Sequence, residues 1–469
     1  MRAAPAATHQ ATGASSDEPA HPSEFRAVAR APRIMMRLQR ACEALVSDSF
    51  YEASAHARAD HPSLRGSTQA DVCVVGGGLA GLSAALELAQ HGLRVVVLEA
   101  QRFGWGASGR NGGQALAGYA CEMGPFEQQL GREAAQQAWA MSCEALELMR
   151  ERIDRHSIAC DWVPGAMTVA VTPKKLQALR EWVDAMHRDY AAERLQWLDA
   201  DATRALIDSR RYCGGVLDPS GGHVHPLNYT LGLARAAAAA GAVLHEHSEV
   251  LQVQPGRPGE RACVRTAAGD VRCDWVLLAG NVNLGGVAPS LARRVMPVGT
   301  YIIATEPLGQ ARADALIRNR AAVSDNQFAL DYYRLSADHR MLFGGRVSYS
   351  TRTPRDLAAT MRAGMLRVFP QLSDVRVTHA WGGFVDITMN RAPDFGRLSR
   401  DVLYLQGFSG HGLALTGLAG KLAAEAIRGQ AGRFDLFAQL KHRAFPGGDA
   451  MRTPALVLGM LWYRLREML

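Results

Sequence analysis

The first cluster of apolar positions is 71–75 (DVCVV), a short β-branched run that follows a polar stretch and ends at glycine. Such a run between turn residues predicts a buried strand. From about Ala80 to Gln90 the apolar spacing becomes helical, and His91-Gly92 supply a stop with glycine at the C′ position. A second β-branched run, 94–98 (RVVVL), follows at once. Strand, helix and strand within about 30 residues open a doubly wound parallel sheet.

Downstream, Pro226 begins a helical pattern through Leu231, Leu233 and Ala236 that Gly241 ends, proline being suited to the first turn. Strands are predicted at 243–247 and 250–253, then a hairpin-like stretch to 276–280. Segments 301–305, 328–335 and 341–343 read as antiparallel strands of a second domain. A strand at 402–406 and a helix at 413–427 complete the pattern. The expected fold class is α/β: a discontinuous, Rossmann-like (doubly wound) nucleotide-binding domain (67–115, 215–290 and 380–432) and an α+β substrate domain on an antiparallel sheet (116–214 and 291–379). Residues 1–48, rich in Ala, Pro, Ser and Thr at their start, are expected to be a disordered extension, and 433–469 a tail with a helix.

Composition changes this picture little. A length of 469 residues with 48% hydrophobic and 21% charged residues is that of a two-domain globular chain. The net charge of +7 comes from scattered arginines, since only four of the 52 basic residues are lysine. No basic run interleaves with aromatics, so no nucleic-acid partner is expected. No stretch reaches the ~18 apolar residues of a spanning helix, and no leader-like apolar region opens the chain. Eight cysteines without a CxxC pair read as free thiols of a reducing cytoplasm. No metal site is expected; His223 and His225 have the look of a ligand pair but precede the Pro226 helix in a loop.

The chemistry starts at Gly76-Gly77-Gly78-Leu79-Ala80-Gly81. A GxGxxG match alone is weak: 46 glycines in 469 residues give roughly 0.4 chance matches, and a second match runs from Gly104 to Gly109. Only the first follows a strand and opens a helix. There, backbone N–H groups and the helix dipole can meet a pyrophosphate. Gly76 allows the turn, Gly78 the close approach of phosphate, and Gly81 the packing of helix on strand. Glu99 ends the second strand, where a carboxylate can take the ribose hydroxyls and disfavours a phosphorylated ribose.

Two further segments point to a flavin. Residues 103–114 (FGWGASGRNGGQ) are dense in glycine, and 407–412 (GFSGHG) join a strand to a helix whose dipole can face the flavin pyrimidine. With VVGGGLAGLSAALEL and YLQGFSGHGLALTGLAG, these segments resemble the FAD motifs of the D-amino-acid-oxidase superfamily. SFYEASA, DYYRLSADHRMLFGGR, WGGFVDITMNRAPDFGRL and the C-terminal FPGGDAMRTPALVLGMLWYRLREML resemble its gamma-glutamylputrescine oxidase branch. The resemblance covers about 49–469.

It implies cofactor contacts from Gly76, Gly78, Leu79, Ala80, Gly81, Glu99 and Ala100. It implies others from Ser108, Gly109, Arg110, Asn111, Gly112, Gly113 and Gln114, from Val250 and Gly280, and from Gly410, His411, Gly412 and Leu413. Departures matter too. Gly412-Leu413-Ala414-Leu415 lacks the substrate-holding lysine of sarcosine-oxidase-like relatives, which disfavours an α-amino acid. No cysteine lies in 385–394 to donate the thioether flavin link of those relatives, so FAD is expected to be non-covalent.

Two roles are open to His411: moving a proton beside the ring, or holding its loop by a backbone hydrogen bond. Arg334 and Arg346 are candidates for a glutamyl carboxylate, against a structural role for each. Tyr332 and Tyr333 point to opposite faces of a strand. With His411, Tyr332 and Arg334 as catalytic candidates, the resemblance implies oxidation of a small amine to an imine, then an aldehyde, with molecular oxygen reduced to hydrogen peroxide. Three alternatives stay open: a secondary-amine, glycine or D-amino-acid oxidase or dehydrogenase of the same fold, a quinone-linked amine dehydrogenase, and a non-catalytic flavin-binding protein. The oligomeric state is left open.

Overall fold

The computed structural model describes residues 49–284, 286–327, 329–348 and 356–446, without the side chains of 346–348. The expected extension 1–48, Phe328, and the apolar end of the tail lie outside them.

The run at Val72–Val75 becomes the centre of a six-stranded sheet because all four of its residues are buried. Both sheet faces are covered, as a parallel strand requires. The strand order is Asp394–Ser399, Val402–Gln406, Trp275–Leu278, Val72–Val75, Val95–Leu98, Val243–His245. Every pairing is parallel except that of the Asp394–Ser399 edge. On one face lie the helices Leu79–Gln90, Pro226–Ala239 and Leu415–Ile427, joined in one apolar core. Gly420 lets two of them touch: a Cβ there would sit 2.6 Å from the Ala84 nitrogen. A four-stranded sheet, Gly66–Gln69, Gly269–Cys273, Ala262–Thr266 and Val250–Gln254, packs against the other face. This is the Rossmann-like parallel sheet expected from the opening strand, helix and strand, with a small sheet in place of a second helical layer.

The second large sheet has nine strands. Its main path runs Val377–Thr388, Val295–Thr305, Met341–Ser348, Tyr332–Leu335, Ala322–Asp325, Val163–Ala170, Gly214–His223, Gln114–Ala115, and Gln196–Leu198 pairs on Gly214–His223. It departs from expectation in two ways. Ala322–Asp325 and Val163–Ala170 pair in parallel, so the sheet is mixed. Gln114–Ala115, Gly214–His223 and Val377–Thr388 belong to it, although 67–115, 215–290 and 380–432 were assigned to the FAD-binding domain. Their pairings all lie within this sheet, and local residue patterns carry no sign of which strands pair. Two long helices, Arg132–Arg155 and Pro173–Tyr190, had no counterpart in the sequence reading. The tail forms a helix at Gly432–Ala438. Among the described residues, no helix is long and apolar enough to cross a membrane.

Candidate active site

Where Val72–Val75 ends, Gly76 turns the chain with φ +112°, and a Cβ there would lie 2.6 Å from the Ala279 carbonyl oxygen. Gly280 therefore sits against the same turn. Gly78 caps the helix without a side chain, and a Cβ on it would meet only Ser108, with Oγ at 2.7 Å. Leu79 and Ala80 begin the helix and are buried. Gly81 has no room at all: a Cβ would fall 2.0 Å from the Gly76 oxygen. Glu99 closes the loop from the next strand. Its Oε2 accepts the Gly77 N–H at 2.7 Å and its Oε1 that of Gln101 at 2.9 Å. Burial pushes the Glu99 carboxyl up, against the pull of those N–H groups. Ala100 follows at the exposed strand end. Ser248 donates its N–H to the Glu99 carbonyl at 2.8 Å, which brings Val250 to this end of the site.

The second glycine segment folds back onto the first. Ser108 accepts the Leu79 N–H through Oγ at 3.0 Å. A Cβ on Gly109 would sit 2.2 Å from the Gly104 oxygen. Asn111 organises the turn: Nδ2 donates to Ala107 and Ser108 carbonyls at 3.0 and 3.1 Å, and Oδ1 accepts the Gly113 N–H at 2.8 Å. Arg110 is buried, its guanidinium 4.5 Å from the centre of the Trp105 ring. Gln114 enters the nine-stranded sheet and donates through Nε2 to Val323 O at 3.0 Å.

The strand Tyr332–Leu335 lies beneath this loop. The Tyr332 ring lies against Gly112, where a Cβ would come within 2.7 Å of it. Tyr333 faces the other way, into the core with Phe343 and Phe369. Arg334 is 3% exposed. Its Nε donates to Gly112 O at 2.8 Å, Nη2 to Tyr51 Oη at 3.1 Å, and Nη1 to Leu335 O at 3.3 Å. Arg334, considered for a substrate carboxylate, is instead spent on the loop in this structure. The Arg346 side chain is outside the described residues.

The third loop joins Val402–Gln406 to the helix Leu415–Ile427. Gly407 and Gly410 have φ of +79° and +86°, and Ser409 +52°. Asp386 anchors it from below: buried, it accepts the Gly407 N–H through Oδ2 at 2.5 Å. Desolvation raises Asp386 to about 6, against the backbone N–H groups that hold it down. His411 donates Nε2–H to Ala117 O at 3.0 Å, just beyond the second loop. Burial lowers its basicity, so the ring is held neutral. Gly412 and the buried Leu413 lead into the helix.

The structure thus gathers the three glycine loops at the ends of parallel strands, where open α/β sheets bind ligands. His223 and His225 face different partners. His223 Nε2 donates to Arg320 O at 2.9 Å, and His225 caps the Pro226 helix by accepting the Asn228 N–H at 3.1 Å. Among the described residues no group of three or more His, Cys, Asp or Glu could hold a metal. Sequence reasoning gave no role to Tyr51, Trp381 or Asp386. All three sit in branch-like segments (SFYEASA and WGGFVDITMNRAPDFGRL), which is the signal that was available.

Residues 71–426 match the family described as FAD dependent oxidoreductase. The chain belongs to that family. Gamma-glutamylputrescine oxidoreductase of Escherichia coli is 46% identical to this oxidoreductase over 424 residues, 90% of this chain and 99% of the relative. A probable oxidoreductase of Haemophilus influenzae is 41% identical over 89% of this chain and 97% of its own. Among solved structures, glycine oxidase of Geobacillus kaustophilus shares the fold with a TM-score of 0.67 at 22% identity, over 80% of this chain and all of that one.

Proposed function

We propose that this oxidoreductase oxidises the primary amine of gamma-glutamylputrescine: R–CH2–NH2 + O2 + H2O → R–CHO + NH3 + H2O2. The observation that carries the reading is the 46% identity that runs through 99% of the Escherichia coli gamma-glutamylputrescine oxidoreductase. The loops support it, because their backbone fits a dinucleotide. Gly78 leaves the helix N-terminus without a side chain, and only Ser108 Oγ lies near a Cβ placed there. In this reading Gly76, Gly78, Gly81 and Ser108 hold the pyrophosphate, Glu99 the ribose, Val250 and Gly280 flank the adenosine half, and residues 109–114 and 410–413 the ring. Bound there, FAD would supply the acceptor for the hydride equivalent and the route for electrons to oxygen.

The chain's own contribution is position and dryness. In this reading Tyr332, whose ring lies against Gly112 of the loop, lines the amine site, and burial there favours the neutral amine whose lone pair the oxidation needs. No strong base is required. His411, neutral and tied to Ala117, steadies the third loop. FAD is held without a covalent bond, since residues 385–394 contain no cysteine. The free cysteines agree with a reducing, cytoplasmic setting.

An oxygen electrode and a peroxide assay test the reaction with gamma-glutamylputrescine, putrescine, sarcosine, glycine and a D-amino acid. The expected result is oxygen uptake and stoichiometric peroxide with the first, at kcat/KM at least tenfold above the others. Turnover only with an artificial electron acceptor would contradict the oxidase reading, and preference for sarcosine or glycine would contradict the substrate.

A further inference from the structure

The segment just before the family match reaches the middle of the molecule. Tyr51, on the short helix Phe50–Ala53, is fully buried. Its ring stands edge-on to Trp381, centroids 5.1 Å apart, and to His225 at 4.9 Å. Its hydroxyl oxygen accepts from Arg334 Nη2 at 3.1 Å.

Two of these neighbours, Arg334 and Trp381, hold the same loop. Arg334 donates to the Gly112 carbonyl at 2.8 Å, and Trp381 donates its indole N–H to the Arg110 carbonyl at 3.1 Å. Two carbonyls two residues apart are thus gripped by two side chains that meet on one tyrosine. Arg334 is also ringed by neutral acceptors: Tyr51 Oη, the Leu335 and Gly112 carbonyls, and His223 Nδ1 at 3.5 Å. A buried cation is costly unless its hydrogen bonds are met, so the Tyr51 hydroxyl matters to where Arg334 rests.

We propose that Tyr51 is a positioning residue for the cofactor ring, acting through Arg334 and Trp381 on the carbonyls of Gly112 and Arg110. The inference rests on the reading above that residues 109–114 meet the ring. Fixing those two carbonyls fixes the peptide dipoles of the loop, and with Arg334 it sets the local field in which the ring gains electrons.

Tyr51→Phe keeps the aromatic packing and deletes one hydroxyl. Losing one hydrogen bond to a charged group is worth about a tenfold change. Purified Tyr51→Phe holoprotein is expected to fold with unchanged far-UV circular dichroism and to bind FAD about tenfold more weakly. It should also show a shifted visible flavin spectrum and a lowered flavin midpoint potential. Arg334→Lys, which keeps the charge but not the fork of donors, is expected to shift the same three readouts further. Trp381→Phe, which releases the other grip, is expected to move the spectrum and potential as well, and it serves if Tyr51→Phe does not fold. A Tyr51→Phe protein with wild-type FAD affinity, spectrum and potential would overturn the proposal, as would one that lost only thermal stability. Wild-type protein that bound no FAD would instead remove the flavin reading on which the proposal stands.

Discussion

Ser108 Oγ accepts the backbone N–H of Leu79 at 3.0 Å, so the second glycine loop caps the helix opened by the first. The helix N-terminus has no side-chain cap of its own, because Gly78 occupies that position. Ser108 therefore does for the free loop what an N-cap residue does elsewhere. Ser108→Ala is expected to cost about 1 kcal/mol of stability and to weaken FAD binding several-fold while leaving the fold intact. Thermal unfolding with and without added FAD would show it, and an unchanged FAD affinity would separate Ser108 from the cofactor.

Gly81 and Gly78 should answer differently to alanine. At Gly81 the new Cβ meets backbone at 2.0 Å, which nothing can relieve without moving helix from strand. Overpacking of this kind costs about 1–3 kcal/mol or more, so Gly81→Ala is expected to be poorly soluble or to melt well below the parent. At Gly78 the Cβ meets only a serine hydroxyl at 2.7 Å, which can rotate away. Gly78→Ala is expected to fold and to lose FAD, as read by the flavin absorbance of the purified protein.

Acid should weaken the fold through His223. Burial first, then the charge of Arg334, depresses it to about 3 from 6.5. The unfolded chain then takes up the proton first, so the stability present above pH 6.5 is lost as pH falls toward 3. Between pH 7.5 and 5.5 the loss is about 1.4 kcal/mol for this one group. His223→Gln is expected to start less stable at pH 7.5 and to narrow that gap by about this amount at pH 5.5. Urea unfolding of both proteins at the two pH values measures it, and a constant gap would contradict the assignment.

His411 is read as a neutral donor to Ala117 O. A glutamine can keep that bond, an alanine cannot. His411→Gln is expected to retain kcat within about tenfold, and His411→Ala to lose about 1–2 kcal/mol of loop order with a larger fall in kcat. If both fell equally and one limb of the pH–rate profile vanished, a proton-moving role would replace the loop-holding one.

The parts legible in the sequence were the local ones. Gly76 to Gly81, Glu99 and the helix ends at Gly92 and Gly241 lie within single strand–turn–helix units, so spacing alone placed them. Arg334 was noticed but its partners were not, because Gly112 lies 222 residues away and Tyr51 283. Asp386 meets Gly407 across 21 residues only because Val377–Thr388 runs under the third loop. Strand pairing of this kind leaves no periodic trace. The same reason hid the sheet partners of Gly214–His223, which has an unremarkable pattern and takes its place from its neighbours Val163–Ala170 and Gln114–Ala115.

On the proposed reading, this oxidoreductase draws electrons from gamma-glutamylputrescine into a bound flavin. The most direct measurement is anaerobic stopped-flow mixing of the purified yellow protein with that amine while the oxidised-flavin absorbance is followed. Full bleaching by gamma-glutamylputrescine is expected, with putrescine and sarcosine far slower, and return of the colour with peroxide release when air is admitted. A protein that stays yellow with gamma-glutamylputrescine while another amine bleaches it would contradict the substrate, and one that no amine reduces would contradict amine oxidation itself.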